Sequence, residues 1–155
     1  MRLLHTIFLV AISAFLAQGQ TGLSVVKLND LSFGSDFGGK VKELTSIGSG
    51  AAKFVIRSEK DAQVVLTVIL PSAFACIAGS DAVSIAFDER SAAWSTTDES
   101  SSRTLFDPRR PLRLTLCAHK DVYVWIGGAV SPTPVQRAGT YRGTITLFVR
   151  TQSGN

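Results

Sequence analysis

Alternation of apolar and polar residues is the feature of this 155-residue chain that most restricts its fold. Beyond the first twenty residues, apolar side chains recur with a period of two, which places them on one face of a β-strand and not along a helical stripe. The pattern predicts about seven strands and no helix. The alternating segments are 23–28, 53–57, 64–70, 82–87, 112–116, 122–126 and 141–149.

The order and spacing of these strands predict an all-β fold. Residues 64–70 are nearly apolar on both faces, which is typical of a central strand. Residues 58–61 are polar and few, which favours a hairpin turn between the two flanking strands. We expect an antiparallel two-sheet sandwich of immunoglobulin-like type. A closed barrel is the alternative, because alternation alone does not distinguish the two architectures.

The first nineteen residues have the composition of a secretory signal peptide. A positive start at Arg2 precedes an apolar run that ends near Ala17, and small residues at Ala17 and Gly19 fit a cleavage site. The run is shorter than the ~20 apolar residues of a membrane span. We therefore expect a signal peptide at 1–19 and a single domain at 20–155. The domain is exported to the periplasm, the cell surface or the medium and has no transmembrane span after cleavage.

Two cysteines, Cys76 and Cys117, follow the predicted cleavage site. An oxidising compartment favours a disulfide between them. Two thiols that behave as small buried apolar groups are the alternative.

The residues needed for catalysis or metal binding are scarce. His119 is the single histidine after the predicted cleavage site, and the chain has no Gly-x-Ser-x-Gly motif. Cys76, Cys117 and His119 lack the spacing of a zinc site. We therefore expect no enzyme activity, no catalytic residues, no metal and no cofactor. The formal net charge of +4 is too small to favour nucleic-acid binding.

Two groups of side chains are candidates for ligand binding. Tyr123 and Trp125 alternate with aliphatic residues and form a candidate ligand platform if that face of the sheet is open; packing in a core is the alternative. A basic cluster in and near the polar loop 88–111 could meet acidic glycans or phosphate groups on a cell surface, although a solvated surface also accounts for it. The cluster consists of Arg103, Arg109, Arg110, Arg113 and Lys120.

Five short segments resemble a bacterial family of exported domains of unknown function. That family is related to fimbrial major subunits of the common-pilus type and to spore-coat-U-like domains. The last segment is the most specific match. The segments are DLSFG at 30–34, AKFVI at 52–56, VLTVILP at 65–71, VWIGG at 124–128 and GTYRGTITL at 139–147.

The resemblance implies an immunoglobulin-like sandwich, export, and a non-enzymatic structural role in a surface or fimbria-like assembly. It also implies self-association or assembly with fimbrial subunits by strand addition. Residues 20–28 are then the candidate donor strand; the alternative is that they form the first strand of their own sandwich. A soluble envelope or extracellular module that binds a glycan or a protein is the alternative function. The candidate donor residues are Leu23, Val25, Val26 and Leu28.

Overall fold

A computed structural model describes residues 22–34 and 39–152, together with the backbone of residues 7–8 and 11–16. This part of the chain forms β-strands and one short 3₁₀ turn, and it contains no α-helix, so the all-β prediction is confirmed. None of the described residues belongs to a helix long and apolar enough to cross a membrane. The elements are β1 (Ile7–Phe8), β2 (Ala11–Leu16), β3 (Leu23–Asn29), β4 (Lys42–Leu44), β5 (Ala52–Ser58), β6 (Ala62–Ile69), β7 (Ala73–Cys76), β8 (Ala82–Ala86), β9 (Ala92–Ser95), the 3₁₀ turn (Ser100–Ser102), β10 (Thr104–Phe106), β11 (Leu112–Leu116), β12 (Asp121–Ile126), β13 (Gly128–Ser131), β14 (Thr140–Arg142) and β15 (Thr144–Thr151).

The strands form three hydrogen-bonded sheets. Sheet I has the order β1-β14-β7-β8-β13-β4, sheet II has the order β10-β9-β12-β5-β3, and sheet III has the order β11-β6-β15-β2. Neighbouring strands are antiparallel except for β1 beside β14 and β2 beside β15, which are parallel. The two parallel pairs both involve the N-terminal residues, and the rest of the described fold is antiparallel.

Two strands pass from one sheet into another across a single glycine. Gly127 separates β12 of sheet II from β13 of sheet I, and Gly143 separates β14 of sheet I from β15 of sheet III. A β-carbon on Gly127 would overlap the carbonyl oxygen of Leu44, and one on Gly143 would lie 2.5 Å from Cδ1 of Phe74. The absence of a side chain at these two points therefore lets neighbouring chain segments approach closely.

One hydrophobic core lies between the sheets. All three sheets contribute buried residues to one contiguous cluster, which gives the molecule a sandwich-like cross-section. Strand β6 lies between β11 and β15, and its Val64 and Leu66 are fully buried, so the prediction of a central strand is confirmed. The largest fully buried side chains are Leu31, Phe33, Phe54, Ile56, Leu66, Phe74, Leu116, Ile126, Tyr141, Ile145 and Leu147.

The predicted hairpin at residues 58–61 is wrong. Strand β5 pairs with β3 and β12 in sheet II, whereas β6 pairs with β11 and β15 in sheet III. The short polar segment therefore carries the chain from one sheet to another. Its polarity and length suit a crossover as well as they suit a hairpin, because both connections run over the surface.

The predicted disulfide between Cys76 and Cys117 is also wrong, because both cysteines are free thiols. Cys76 ends β7 in sheet I, where it lies opposite Tyr141, and its side chain is half-buried. Cys117 follows β11 of sheet III and is exposed. The argument from an oxidising compartment takes no account of geometry, and here Cys76 ends a strand of sheet I whereas Cys117 follows a strand of sheet III.

Candidate functional site

Strand β15 has two neighbours of different kinds. On one side it pairs with β6 in antiparallel register from Thr146 to Thr151. On the other side its residues Thr144 to Val149 pair in parallel register with β2. Strand β2 also lies beside β3, the edge strand of sheet II. Strand β2 is therefore the last strand of sheet III and lies between β15 of that sheet and β3 of sheet II.

The register of this parallel pair follows the buried face of β15. Ile145, Leu147 and Val149 are buried and belong to the core. The residues opposite them in the register are Ile12, Ala14 and Leu16. Without β2, the backbone N–H and C=O groups on this side of β15 would lack strand partners, as at any open sheet edge. We call this side of β15 the acceptor edge.

The candidate donor residues lie in a strand of their own sheet. Strand β3 pairs with β5 in antiparallel register from Leu23 onward, with a shift between Lys27 and Asn29. Leu23 is buried and Val25 is half-buried, so these two contribute to the core. Val26 and Leu28 are 50% and 46% exposed. In this arrangement the four residues complete sheet II.

The candidate platform residues Tyr123 and Trp125 are stacked, with ring centroids 5.9 Å apart. Charged side chains cover them. The guanidinium carbon of Arg103 lies 3.8 Å from the Trp125 centroid, and the Lys53 ammonium lies 5.3 Å from the Tyr123 centroid. Lys53 is held there by Asp98, whose Oδ2 is 2.6 Å from Nζ. Trp125 is consequently only 3% exposed and offers almost no ring surface to a ligand.

A cavity of about 440 Å³ lies beside Arg103. Three separate chain segments line it: the end of β4 with the turn that follows, the turn after β8, and the segment from the 3₁₀ turn into β10. We call it the Arg103 cavity. Its charged and apolar lining residues include Glu43, Ile47, Asp88, Arg90, Arg103 and Leu105.

The guanidinium of Arg103 is fixed in position by its neighbours. Its Nη1 donates a hydrogen bond to the carbonyl oxygen of Ser46 at 2.7 Å, and one face rests on Trp125. Its Nε is buried and has no hydrogen-bond partner. Burial lowers the pKa of Arg103 from its usual value. Within the described residues, neither Arg103 nor Arg90 forms a salt bridge.

Asp88 keeps its negative charge through local hydrogen bonds. Its Oδ1 accepts from the backbone N–H of Arg90 at 2.8 Å and from the hydroxyl of Ser91 at 2.9 Å. These bonds, the backbone bond first, lower the pKa of the Asp88 carboxyl below its ordinary value. The carboxylate is therefore ionised at neutral pH; its hydrogen bonds come from its own turn, and the charges of Arg109 and Arg90 also attract it.

The remaining cationic residues of the basic cluster do not line the cavity, although the charge of Arg109 attracts the Asp88 carboxylate. Arg109 and Arg110 pair with Asp107, whose pKa is lowered chiefly by the side-chain hydrogen bond from Arg109. Arg113 is exposed on β11, and Lys120 is exposed in the turn before β12. The cluster in the sequence is thus divided among different surfaces, and Arg103 alone contributes to the cavity.

The sequence marked Arg103 and the polar loop 88–111, which also supplies Asp88, Arg90 and Leu105, but it gave no indication of Glu43 or Ile47. These two come from a segment that is distant in the chain, and no spacing links them to the loop. No group of three or more His, Cys, Asp or Glu side chains that could hold a metal occurs in 22–34 or 39–152.

Comparison with protein-family models and with curated proteins found no match. The described residues thus form a mainly antiparallel all-β fold with two features to consider, the acceptor edge of β15 and the Arg103 cavity.

Proposed function

We propose that this chain is an exported, non-enzymatic structural subunit of a surface or fimbria-like assembly. Its sheet is completed by a strand from another chain at the acceptor edge. One observation carries the proposal: the described partner of this edge is β2, at residues 11–16, and those residues lie within the segment expected to be removed on export. Once they are removed, the edge of β15 is available for another strand.

An immunoglobulin-like topology is part of the same proposal, and Tyr141 supports it. This side chain is fully buried, and its hydroxyl donates to the carbonyl oxygen of Arg137 at 2.7 Å, four residues upstream. The hydroxyl also accepts from Nε2 of Gln136 at 2.8 Å. A tyrosine that binds the backbone a few residues before its own strand is the tyrosine corner of immunoglobulin-like sandwiches.

The chemistry of the acceptor edge indicates what kind of segment it takes. Backbone groups along β15 supply affinity for any extended chain, and the buried positions Ile145, Leu147 and Val149 require apolar side chains opposite them. The expected partner is therefore an extended segment with apolar residues at alternate positions. The pattern of Ile12, Ala14 and Leu16 meets this requirement.

A peptide experiment tests strand addition directly. The chain of residues 20–155 is purified alone and with a peptide of residues 10–17. We expect self-association and a low melting temperature without the peptide, and a monomer that melts at least several degrees higher with it. A control peptide with Ile12→Asp and Leu16→Asp should have no effect, because charged groups would face the core. A stable monomer whose melting temperature and association state are unchanged by either peptide would contradict the proposal.

The alternative function, a soluble module that binds a glycan or a protein, has one observation in its favour. The Arg103 cavity, at about 440 Å³, falls within the size range of small-molecule sites and combines charged and apolar lining residues. Ligand binding there and strand addition at β15 use different parts of the surface, so the two functions are tested separately.

A further inference from the structure

We propose that the Arg103 cavity binds an acidic sugar residue, that is, a hydroxylated ring that carries a carboxylate. This inference rests on the alternative function, ligand binding, and does not depend on strand addition. It is built on the charges of the cavity, on the fixed position of one guanidinium, and on the apolar surface beside it.

The unpaired cations favour an anionic group. Arg103 and Arg90 both line the cavity, and neither has a salt bridge with a described residue. Arg103 uses one of its five N–H donors on Ser46, and its stacking on Trp125 holds the plane of the group in place. A planar fork that is already oriented suits a carboxylate, which accepts two parallel hydrogen bonds.

The two carboxylates of the cavity select hydroxyl groups and disfavour a more highly charged anion. Asp88 and Glu43 are hydrogen-bond acceptors when ionised, and sugar hydroxyls are suitable donors. A dianionic phosphate would meet two negative charges as well as two positive ones. A single carboxylate on a ring with several hydroxyls satisfies both kinds of lining residue.

Two exposed aliphatic side chains supply the apolar part of the site. Ile47 and Leu105 are 58% and 46% exposed, and both line the cavity. Ligand sites commonly combine such apolar surface with a few fixed polar groups. The C–H face of a sugar ring can pack on these side chains while its carboxylate reaches the guanidinium of Arg103.

A matched pair of disaccharides tests the proposal. The full chain carrying Trp94→Phe is titrated with digalacturonate and with neutral galactobiose, and binding is followed by Trp125 fluorescence and by calorimetry. We expect digalacturonate to bind at least about tenfold more tightly than galactobiose, since charge-assisted hydrogen bonds are roughly twice as strong as neutral ones. Arg103→Gln and Arg90→Gln should each weaken binding by about tenfold. Arg150→Gln, at an exposed position on β15, should bind as the parent does.

Each outcome of this experiment either supports or overturns the proposal that the Arg103 cavity binds an acidic sugar. Equal binding of both disaccharides would overturn the acidic preference and leave a ligand-binding module standing, and binding of neither would overturn the inference. Displacement of digalacturonate by equimolar sulfate would also overturn it, because any anion would then suffice. If Arg103→Gln does not fold, Arg90→Gln decides, because the Arg90 side chain is exposed and its replacement leaves the packing of Arg103 on Trp125 in place. The peptide experiment at β15 is unaffected by any of these results.

Discussion

At the scale of single residues, charged side chains in this protein cover aromatic surface. Lys53 and Arg103 lie over Tyr123 and Trp125, and Asp98 holds Lys53 in place. A cation over an aromatic face is stabilised by the ring quadrupole. The aliphatic parts of these side chains also exclude water from the rings. An aromatic pair that alternates along a strand is therefore compatible with burial beneath charges as well as with an open surface.

Tyr141 offers a prediction at this scale. Tyr141→Phe removes the hydroxyl that bonds to Arg137 and Gln136 inside the protein, and it leaves the Arg137 carbonyl without that donor. We expect a loss of about 1–3 kcal/mol in the free energy of unfolding, measured by urea denaturation. Tyr123→Phe is the control, because the Tyr123 hydroxyl makes a single long contact of 3.5 Å with Asp121. Equal effects of the two substitutions would contradict the assigned role of Tyr141.

At the scale of elements, the strands that change sheets depend on a close approach between backbones. Strands β12 and β13 form one almost continuous path through Gly127, and this path crosses the turn after β4. The same region contributes Ser46, which fixes Arg103, and Glu43, which lines the Arg103 cavity. The path of one strand thus determines the geometry of the candidate ligand site.

Gly127→Ala tests this element. A methyl group at Gly127 would overlap the carbonyl oxygen of Leu44 and lie 2.9 Å from the carbonyl carbon of Thr45. We expect a loss of about 1–3 kcal/mol in the free energy of unfolding, because backbone must shift to make room. Gly79→Ala is the control, since its nearest neighbour, Sγ of Cys76, lies at 3.9 Å. A well-folded Gly127→Ala protein with the melting temperature of the parent would show that the strands are spaced more widely.

At the scale of the whole molecule, the fold includes a strand, β2, that lies within the predicted signal peptide at residues 1–19. Strand β2 lies against β15 and beside β3, so it joins the edges of sheets II and III. Many connections also run between sheets, as at residues 59–61 between β5 and β6. Stability at the acceptor edge therefore depends on a segment that is far from β15 in the sequence, although it directly precedes β3.

Hydrogen exchange measures that dependence. In the full chain, we expect the amides of β15 to exchange slowly, because the strand is paired on both sides. In the chain of residues 20–155, the amides that faced β2 should exchange at least about tenfold faster, since their strand partner is gone. Strand β12, between β5 and β9, serves as the internal control and should change little. Identical protection of β15 in both chains would mean that β2 contributes nothing to the edge.

Several parts of the fold could be predicted from local pattern. The apolar residues on both faces of 64–70 predicted a central strand, and β6 does lie between β11 and β15, although Ile69 on its second face is 55% exposed. The segment at 122–126 coincides with β12, whereas the segment at 141–149 is divided at Gly143 between β14 of sheet I and β15 of sheet III. A strand can be located from the sequence because the alternation of apolar and polar residues arises within the strand itself and does not depend on its neighbours.

The predictions that failed concern which distant segments of the chain contact one another. The hairpin at 58–61 and the bond between Cys76 and Cys117 both required knowledge of which strands share a sheet. The Arg103 cavity is lined by three separate segments of the chain, so no sequence motif predicts it. The use of residues 11–16 as an edge strand was equally hidden, because an apolar run suits a leader and a strand alike.

The sequence by itself determined that the described chain is a β-protein and which side chains of each strand share a face, because alternation is read within a few consecutive residues. The tertiary structure decided which strands pair, where the chain crosses between sheets, and what lies beside Arg103 and β15. The physical reason is that an apolar face requires burial without specifying its partner. Partners are selected by packing and hydrogen bonding between residues that are far apart in the chain.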